Sequence, residues 1–105
     1  QVDRLPEAER AFRVGAQRFP NQRALWLGLA IVLVKAGRYP EAIELYGAIA
    51  RRFPGSAAPY AARALLFAQL GRRSEAETEM ERAATMEPSN QTYRSQLATL
   101  RAQAR

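Results

Sequence analysis

The chain has 105 residues, 48% of them hydrophobic and 25% charged, with 16 Lys and Arg against 10 Asp and Glu and a formal charge of +6. That length suits one domain, and the composition is too apolar for disorder and ordinary for a soluble globular protein. Cys and His are absent, which excludes disulfides, thiol chemistry and the usual zinc and haem ligands and leaves the redox compartment open.

The first predicted element is a helix over residues 3–19 that carries Leu5, Ala8 and Phe12 and is closed by Pro20. A second runs from Arg23 to Ala36, with Trp26, Leu29, Ala30 and Leu33 at helical spacing and Gly37 where a helix end calls for positive φ. Its stretch from Ala24 to Val34 is apolar on every side, too short to cross a bilayer and suited to a place between neighbouring helices. The third helix takes Pro40 in its first turn, buries Ala42, Ile43, Tyr46, Ile49 and Ala50, and stops at Pro54.

The fourth repeats the plan of the second, with Ser56 as its cap, Tyr60, Ala64 and Phe67 inside and Gly71 at its end. The fifth opens on Ser74 and Glu77 as a capping-box pair, with Ala76 and Met80 in the core and Met86 at its edge. Its acidic run, Glu75, Glu77, Glu79 and Glu81, reads as a solvated face paired with Arg72, Arg73 and Arg82 rather than as carboxylates set for acid–base chemistry. The last helix, from about Asn90 to Arg105, has a narrow stripe of Tyr93, Leu97, Leu100 and Ala104, and shows Arg94 and Arg101 where the second helix shows Trp26 and Leu33. That is the pattern of a polar-faced solvating cap.

The punctuation recurs at one period. Pro20, Pro54 and Pro88 stand 34 residues apart, and the same step relates Glu7, Glu41 and Glu75, Ala8, Ala42 and Ala76, Ala30, Ala64 and Ala98, and the pair Gly37 and Gly71. An internal repeat is the economical explanation. Each repeat is two helices, the alanines letting them approach and the large residues filling the space beside them.

These residues resemble the tetratricopeptide repeat, whose pattern is W-x2-L-G-x2-Y, then A-x3-F, then P. Trp26, Leu29, Ala30, Leu33, Ala42, Tyr46 and Pro54 match or conservatively replace it in one repeat; Tyr60, Ala64, Phe67, Ala76, Met80 and Pro88 do so in the next. Arg63 departs, standing where the pattern has leucine, so its guanidinium must reach the surface or meet a carboxylate. The resemblance covers the whole chain: a lone second helix of a preceding repeat at 3–19, repeats at 21–54 and 55–88, and the cap helix at 89–105, all in a single domain. It implies an all-α, right-handed superhelical stack of about six helices in antiparallel hairpins. Because Leu5, Ala8 and Phe12 lack the helix on which they would close, the N-terminal end reads as cut from a larger array or as a self-association face. The start at Gln1 rather than Met reads as trimming.

In this family the first helices line the concave side. The positions facing it are Leu27, Ile31, Val34 and Lys35 on the second helix, Ala61, Ala62, Leu65 and Gln69 on the fourth, and Ser95 and Thr99 on the sixth. The expected surface grades from apolar to polar, and leaving Leu27, Ile31 and Val34 in water forgoes roughly 1.5–3 kcal/mol each. They are covered either within the chain, by curvature or by the first helix folding across, or by a partner. The pattern lacks the Asn and Lys or Arg set with which family members clamp a terminal carboxylate.

The expected ligand is therefore an amphipathic helix or apolar strand, with an acidic element reaching Lys35, Arg38 or Arg72. The chain is expected to be a non-catalytic protein-binding scaffold, with self-association as the alternative. Nucleic-acid binding ranks last, because the arginines are scattered among glutamates with no basic, aromatic-interleaved stripe. No phosphate loop, metal spacing, cofactor motif or activated nucleophile is present in the sequence, so no cofactor, metal or membrane insertion is expected. The Arg-rich style suggests a bacterial protein, of cytoplasm or periplasm.

Overall fold

The computed structural model describes residues 4–103, so that Asp3, expected in the first helix, and Ala104 and Arg105, expected in the last, lie outside the described residues. These residues form α1 (Leu5–Arg18), α2 (Arg23–Lys35), α3 (Tyr39–Arg52), α4 (Ala58–Gln69), α5 (Arg73–Met86) and α6 (Gln91–Gln103). Among them there is no strand, and the fold is all-α.

Two kinds of helix stop alternate along the chain. After α1, α3 and α5 the residues Phe19, Phe53 and Glu87 leave helical geometry with φ of −127°, −125° and −130° and ψ of 70°, 72° and 75°. Each donates its N–H to the carbonyl four residues back, on Gly15, Ile49 and Ala83. Each precedes a proline, whose ring excludes helical geometry from the residue before it. After α2 and α4 the chain turns on Gly37 (φ +78°) and Gly71 (φ +77°). The N–H of Gly37 bonds Val34 O and that of Arg38 bonds Leu33 O, both at 2.9 Å. Gly71 and Arg72 do the same to Ala68 O and Phe67 O at 3.0 and 2.8 Å, so both turns close the end carbonyls in a Schellman motif.

The helix starts differ from expectation. The cap position of α4 is Ala57 rather than Ser56, and no side chain caps it; Pro59 in the first turn sets the start instead. The helix α5 begins at Arg73, which puts Ser74 inside the first turn, where the hydroxyl of Thr78 donates to its carbonyl and no capping box forms. There Arg72 grips Glu75 through Nε and Nη2 at 2.6 and 2.7 Å, bracing the turn that the serine was expected to close. Arg38 and Glu41 repeat this fork 34 residues earlier at 2.6 and 2.8 Å. Asn90 is a working cap, its Oδ1 accepting the N–H of Tyr93 at 3.1 Å.

The chain divides into two compact units, Gln1–Phe53 and Pro54–Arg105. In the first, α2 packs on both α1 and α3. Ala16, Ala30 and Ala42 are fully buried, and Gly15 faces the Leu25 side chain at close range. Arg38 Nη1 reaches Glu9 on α1 at 2.6 Å, and Glu9 also accepts from Arg13 at 2.8 Å, so the α2–α3 turn is pinned to α1. In the second unit α5 packs on both α4 and α6. Ala64, Ala76, Met80 and Ala83 are fully buried, and Leu97 and Leu100 form the inward stripe of α6. Met86 stays partly exposed at the edge.

The acidic face of α5 corrects the expectation of uniform solvation. Glu75 pairs with Arg72, while Glu77 and Glu81 pair with Arg101 of α6 at 3.4 and 3.2 Å. Glu79 is buried and faces Arg63. Arg82 lies over the Tyr60 ring and meets no acid among the described residues, and Arg73 donates to the Gln103 carbonyl. Among the described residues no helix is long and apolar enough to cross a membrane.

Candidate functional site

On α2 the outward stripe is Leu27, Ile31 and Val34, at spacings that keep them on one face. Ile31 is 47% exposed, Leu27 and Val34 are half-buried, and Lys35 is exposed. On α4 the equivalent of Ile31 is Leu65, also 47% exposed, with Ala62 half-buried and Gln69 exposed. Ala61 does not belong to this surface. It is buried, because it falls on the inward stripe of Ala57 and Ala64, four residues from one and three from the other.

Leu65 and Ala68 border a hollow of about 280 Å³ whose other wall is α6, with Ser95, Gln96, Thr99, Leu100 and Gln103. Ser95 and Thr99 are exposed there, and the Thr99 hydroxyl donates to Ser95 O at 3.0 Å rather than turning outward.

The residues expected to lack a partner are partly covered. A Cβ placed on Gly28 would lie 2.4 Å from Cε1 of Phe12, so the aromatic ring of α1 rests on bare α2 backbone. Any side chain at position 28 would displace that ring. Leu5, Ala8 and Phe12 are half-buried and form one wall of a hollow of about 600 Å³, with Gly28, Ile31, Val32 and Lys35 as the other and Arg4 at the rim. The first helix thus covers Gly28 and leaves Ile31 open. Val32, absent from the sequence-derived surface, lines this hollow; its adjacency to Ile31 on an apolar helix was the available signal.

Two of the cations expected to meet an acidic ligand are engaged within the chain. Arg38 is held by Glu41 and Glu9, and Arg72 by Glu75 while lying 4.9 Å from the Phe67 ring centroid. Hydrogen bonds from Arg13 and Arg38 hold the Glu9 carboxyl below its ordinary range, and Arg38 does the same to Glu41. Burial pushes the Tyr46 and Tyr93 phenols up. On the opposite side of the α2–α3 hairpin, Trp26 Nε1 and Arg52 Nε both donate to Pro20 O at 2.9 Å, tying the α1–α2 loop to both helices. Among the described residues no group of three or more acidic side chains is placed to hold a metal ion.

Alternating glycine and proline stops at a fixed step, alanine-lined helix contacts and exposed apolar residues at equivalent places on successive first helices define a helical-hairpin repeat protein. The tetratricopeptide repeat model matches residues 2–66, more than half of the sequence, and the chain belongs to that family. A search of curated proteins finds no match.

Among solved structures, the Yersinia enterocolitica type III secretion chaperone SycD, in complex with a peptide of the translocator YopD, is similar with a TM-score of 0.87 and 19% identity, over 100% of this chain and 86% of that one. PcrH, in complex with the chaperone binding region of PopD, gives 0.77 and 19%, over 98% and 77%. A tetratricopeptide repeat protein from Parabacteroides merdae gives 0.84 and 20%, over 95% and 40%.

Proposed function

We propose that this chain is a non-catalytic scaffold that holds a segment of a partner polypeptide against the outward faces of its first helices. The observation that carries the reading is the matched exposure of Ile31 and Leu65, each 47% open to solvent at the same position of helices one repeat apart. Covering the open half of each contributes about 1 kcal/mol per residue, enough to favour a ligand with apolar side chains over a polar one. In the first unit Leu27 and Val34 extend the apolar face beside Ile31 at half exposure, with Lys35 at its margin; in the second Ala62 does so beside Leu65, with Gln69, Ser95 and Thr99 as polar neighbours. Two similar structures were solved with polypeptide segments bound, SycD with a peptide of the translocator YopD and PcrH with the chaperone binding region of PopD, which supports a polypeptide ligand for the same fold.

Selection from a random peptide display library on the immobilised chain tests this. Enriched peptides should carry apolar residues and should be lost from Ile31→Glu or from Leu65→Glu. Enrichment that is absent, or indifferent to both substitutions, removes the proposal.

A further inference from the structure

The repeat at 21–54 leaves bare a place that the next repeat fills from its own chain. In the second unit the Arg82 guanidinium lies 5.1 Å from the centroid of the Tyr60 ring, and Glu79 is paired with Arg63. One repeat earlier the same four positions hold Ala48, Trp26, Leu45 and Leu29. Alanine is too short to cover a ring. Among the described residues no cation lies over the Trp26 indole, although indole is the aromatic face that attracts a cation most strongly.

Two hollows of about 370 and 290 Å³ meet at Trp26, Leu45 and Ala48 and form one groove across the α2–α3 hairpin. Its floor and walls are helices of the first unit, on the side of α2 away from Ile31, which stands about 140° round that helix from Trp26. Arg51 borders the larger hollow and Glu44 the smaller. Both are exposed, and among the described residues neither side chain has an ion-pair or hydrogen-bond partner, whereas Arg13 and Glu41 beside them are paired. The charge pair belongs to α3 alone: the same positions hold Arg10 and Gln17 on α1 and Thr78 and Thr85 on α5. Glu44, Ala48 and Arg51 form one stripe, its two charges seven residues and about 10 Å apart with the small residue between them.

Such a stripe is complementary to itself when one copy is turned through half a revolution. We infer that this face of α3 pairs with the same face of a second copy, the two α3 helices running antiparallel about a two-fold axis beside Ala48, so that Arg51 of each copy reaches Glu44 and the bare Trp26 ring of the other. An isologous contact uses each complementary pair twice, and alanine at its centre lets the helices approach closely. The second copy thereby brings to Trp26 the kind of group that Arg82 brings to Tyr60 within the chain. The inference goes beyond the peptide-holding reading, whose surface on α2 is the opposite one. The charge of +6 on each copy opposes association at low ionic strength; at about 0.15 M salt, charges more than about 8 Å apart are largely screened and the facing pairs much less so.

The test is sedimentation velocity of the whole chain at that salt and at concentrations up to about 1 mM, because one helix stripe and a groove make a small, weak interface. The wild type should show a monomer–dimer equilibrium. Glu44→Arg sets cation against cation at both ends of the contact, and Arg51→Glu sets anion against anion; each should weaken dimerisation about tenfold or more. An equimolar mixture of the two single variants should recover most of the loss, since their charges match only across the interface. Arg94→Glu on α6 changes the net charge as much as Arg51→Glu does and should leave the dimer intact. All three altered side chains are exposed, so the variants keep the fold.

A wild type that stays monomeric throughout the series overturns the proposal and leaves the groove to another occupant. A dimer indifferent to both single variants overturns it too, because another face then holds the copies together, and so does a loss that the mixture fails to recover. None of these outcomes bears on peptide capture through Ile31 or Leu65, so the two readings fail separately.

Discussion

Arg63 and Glu79 face each other between α4 and α5 with Nη1 and Oε1 3.2 Å apart, their side chains only 24% and 11% exposed. The contact is an ion pair without hydrogen-bond alignment, and Arg63 Nε and Glu79 Oε1 are buried with no hydrogen-bond partner. The guanidinium carbon also lies 5.6 Å from the Phe67 ring centroid. A charged pair therefore occupies a place where the repeat pattern puts leucine, with its charges matched but its polar atoms incompletely satisfied.

Removing one partner should cost more than removing both. Glu79→Ala strands the guanidinium and should destabilise by about 3 kcal/mol, whereas Arg63→Leu with Glu79→Met should return stability to wild type or above it. Urea unfolding followed by circular dichroism gives both values; a double variant as weak as Glu79→Ala contradicts the account.

Gly37→Ala and Gly71→Ala should each cost about 1–2 kcal/mol. A Cβ at either position meets nothing within 4 Å, so the penalty is purely that of positive φ and should be equal at the two turns. Asparagine, which tolerates that backbone region, should recover part of it. Thermal melts of the four single variants check the pattern.

At Gly28 two effects oppose each other. Alanine gains about 1 kcal/mol of helix propensity but displaces the Phe12 ring, at a cost of about 1–3 kcal/mol for an overpacked contact. The ring borders an open hollow and can swing into it, which places the net change of Gly28→Ala within about 1 kcal/mol of zero. Adding Phe12→Leu removes the clash, and a double-mutant cycle should therefore show a favourable coupling between the two sites.

Acid should loosen the tie between α1 and the α2–α3 turn. The folded-state pKa of Glu9 is held below its ordinary 4.5 by Arg13 and Arg38, so its contribution is present above that value and is lost as pH falls through the lowered one. Glu41 behaves alike, with Arg38 as the cause. Both carboxylates are accessible enough for salt to weaken the effect. Midpoints of thermal unfolding between neutral pH and about pH 2 should fall more steeply for wild type than for Glu9→Gln, and less steeply in high salt.

The repeat period, the six helices and most of the buried alanines were legible because each rests on a local rule: proline or glycine at a stop, alanine at a close contact. Ser56 and Ser74 misled because a serine before a helix is only one way to start it, and Pro59 and the Arg72–Glu75 fork start these helices instead. Ala61 was misplaced for a different reason. On α4 the alanines surround the axis, so composition does not tell the inward stripe from the outward one, whereas Leu65 on the same helix is large enough to mark its face.

Glu79 was hidden by its company. Alternate glutamates look equivalent along the sequence, and only the position of Arg63 on the neighbouring helix selects the one that turns inward. The rest of Phe12 on Gly28 was similarly unreadable, since a glycine inside a helix signals a close approach without saying from which side.

The backbone leaves α1, α3 and α5 through junctions whose torsion angles agree within a few degrees, at Phe19, Phe53 and Glu87. A segment copied from one such junction to the next carries both of its ends ready-made. A duplication of residues 20–53 in frame would join Phe53 to Pro20 through a junction whose backbone torsions are already those found at Phe19, so the extra hairpin would need no new connection.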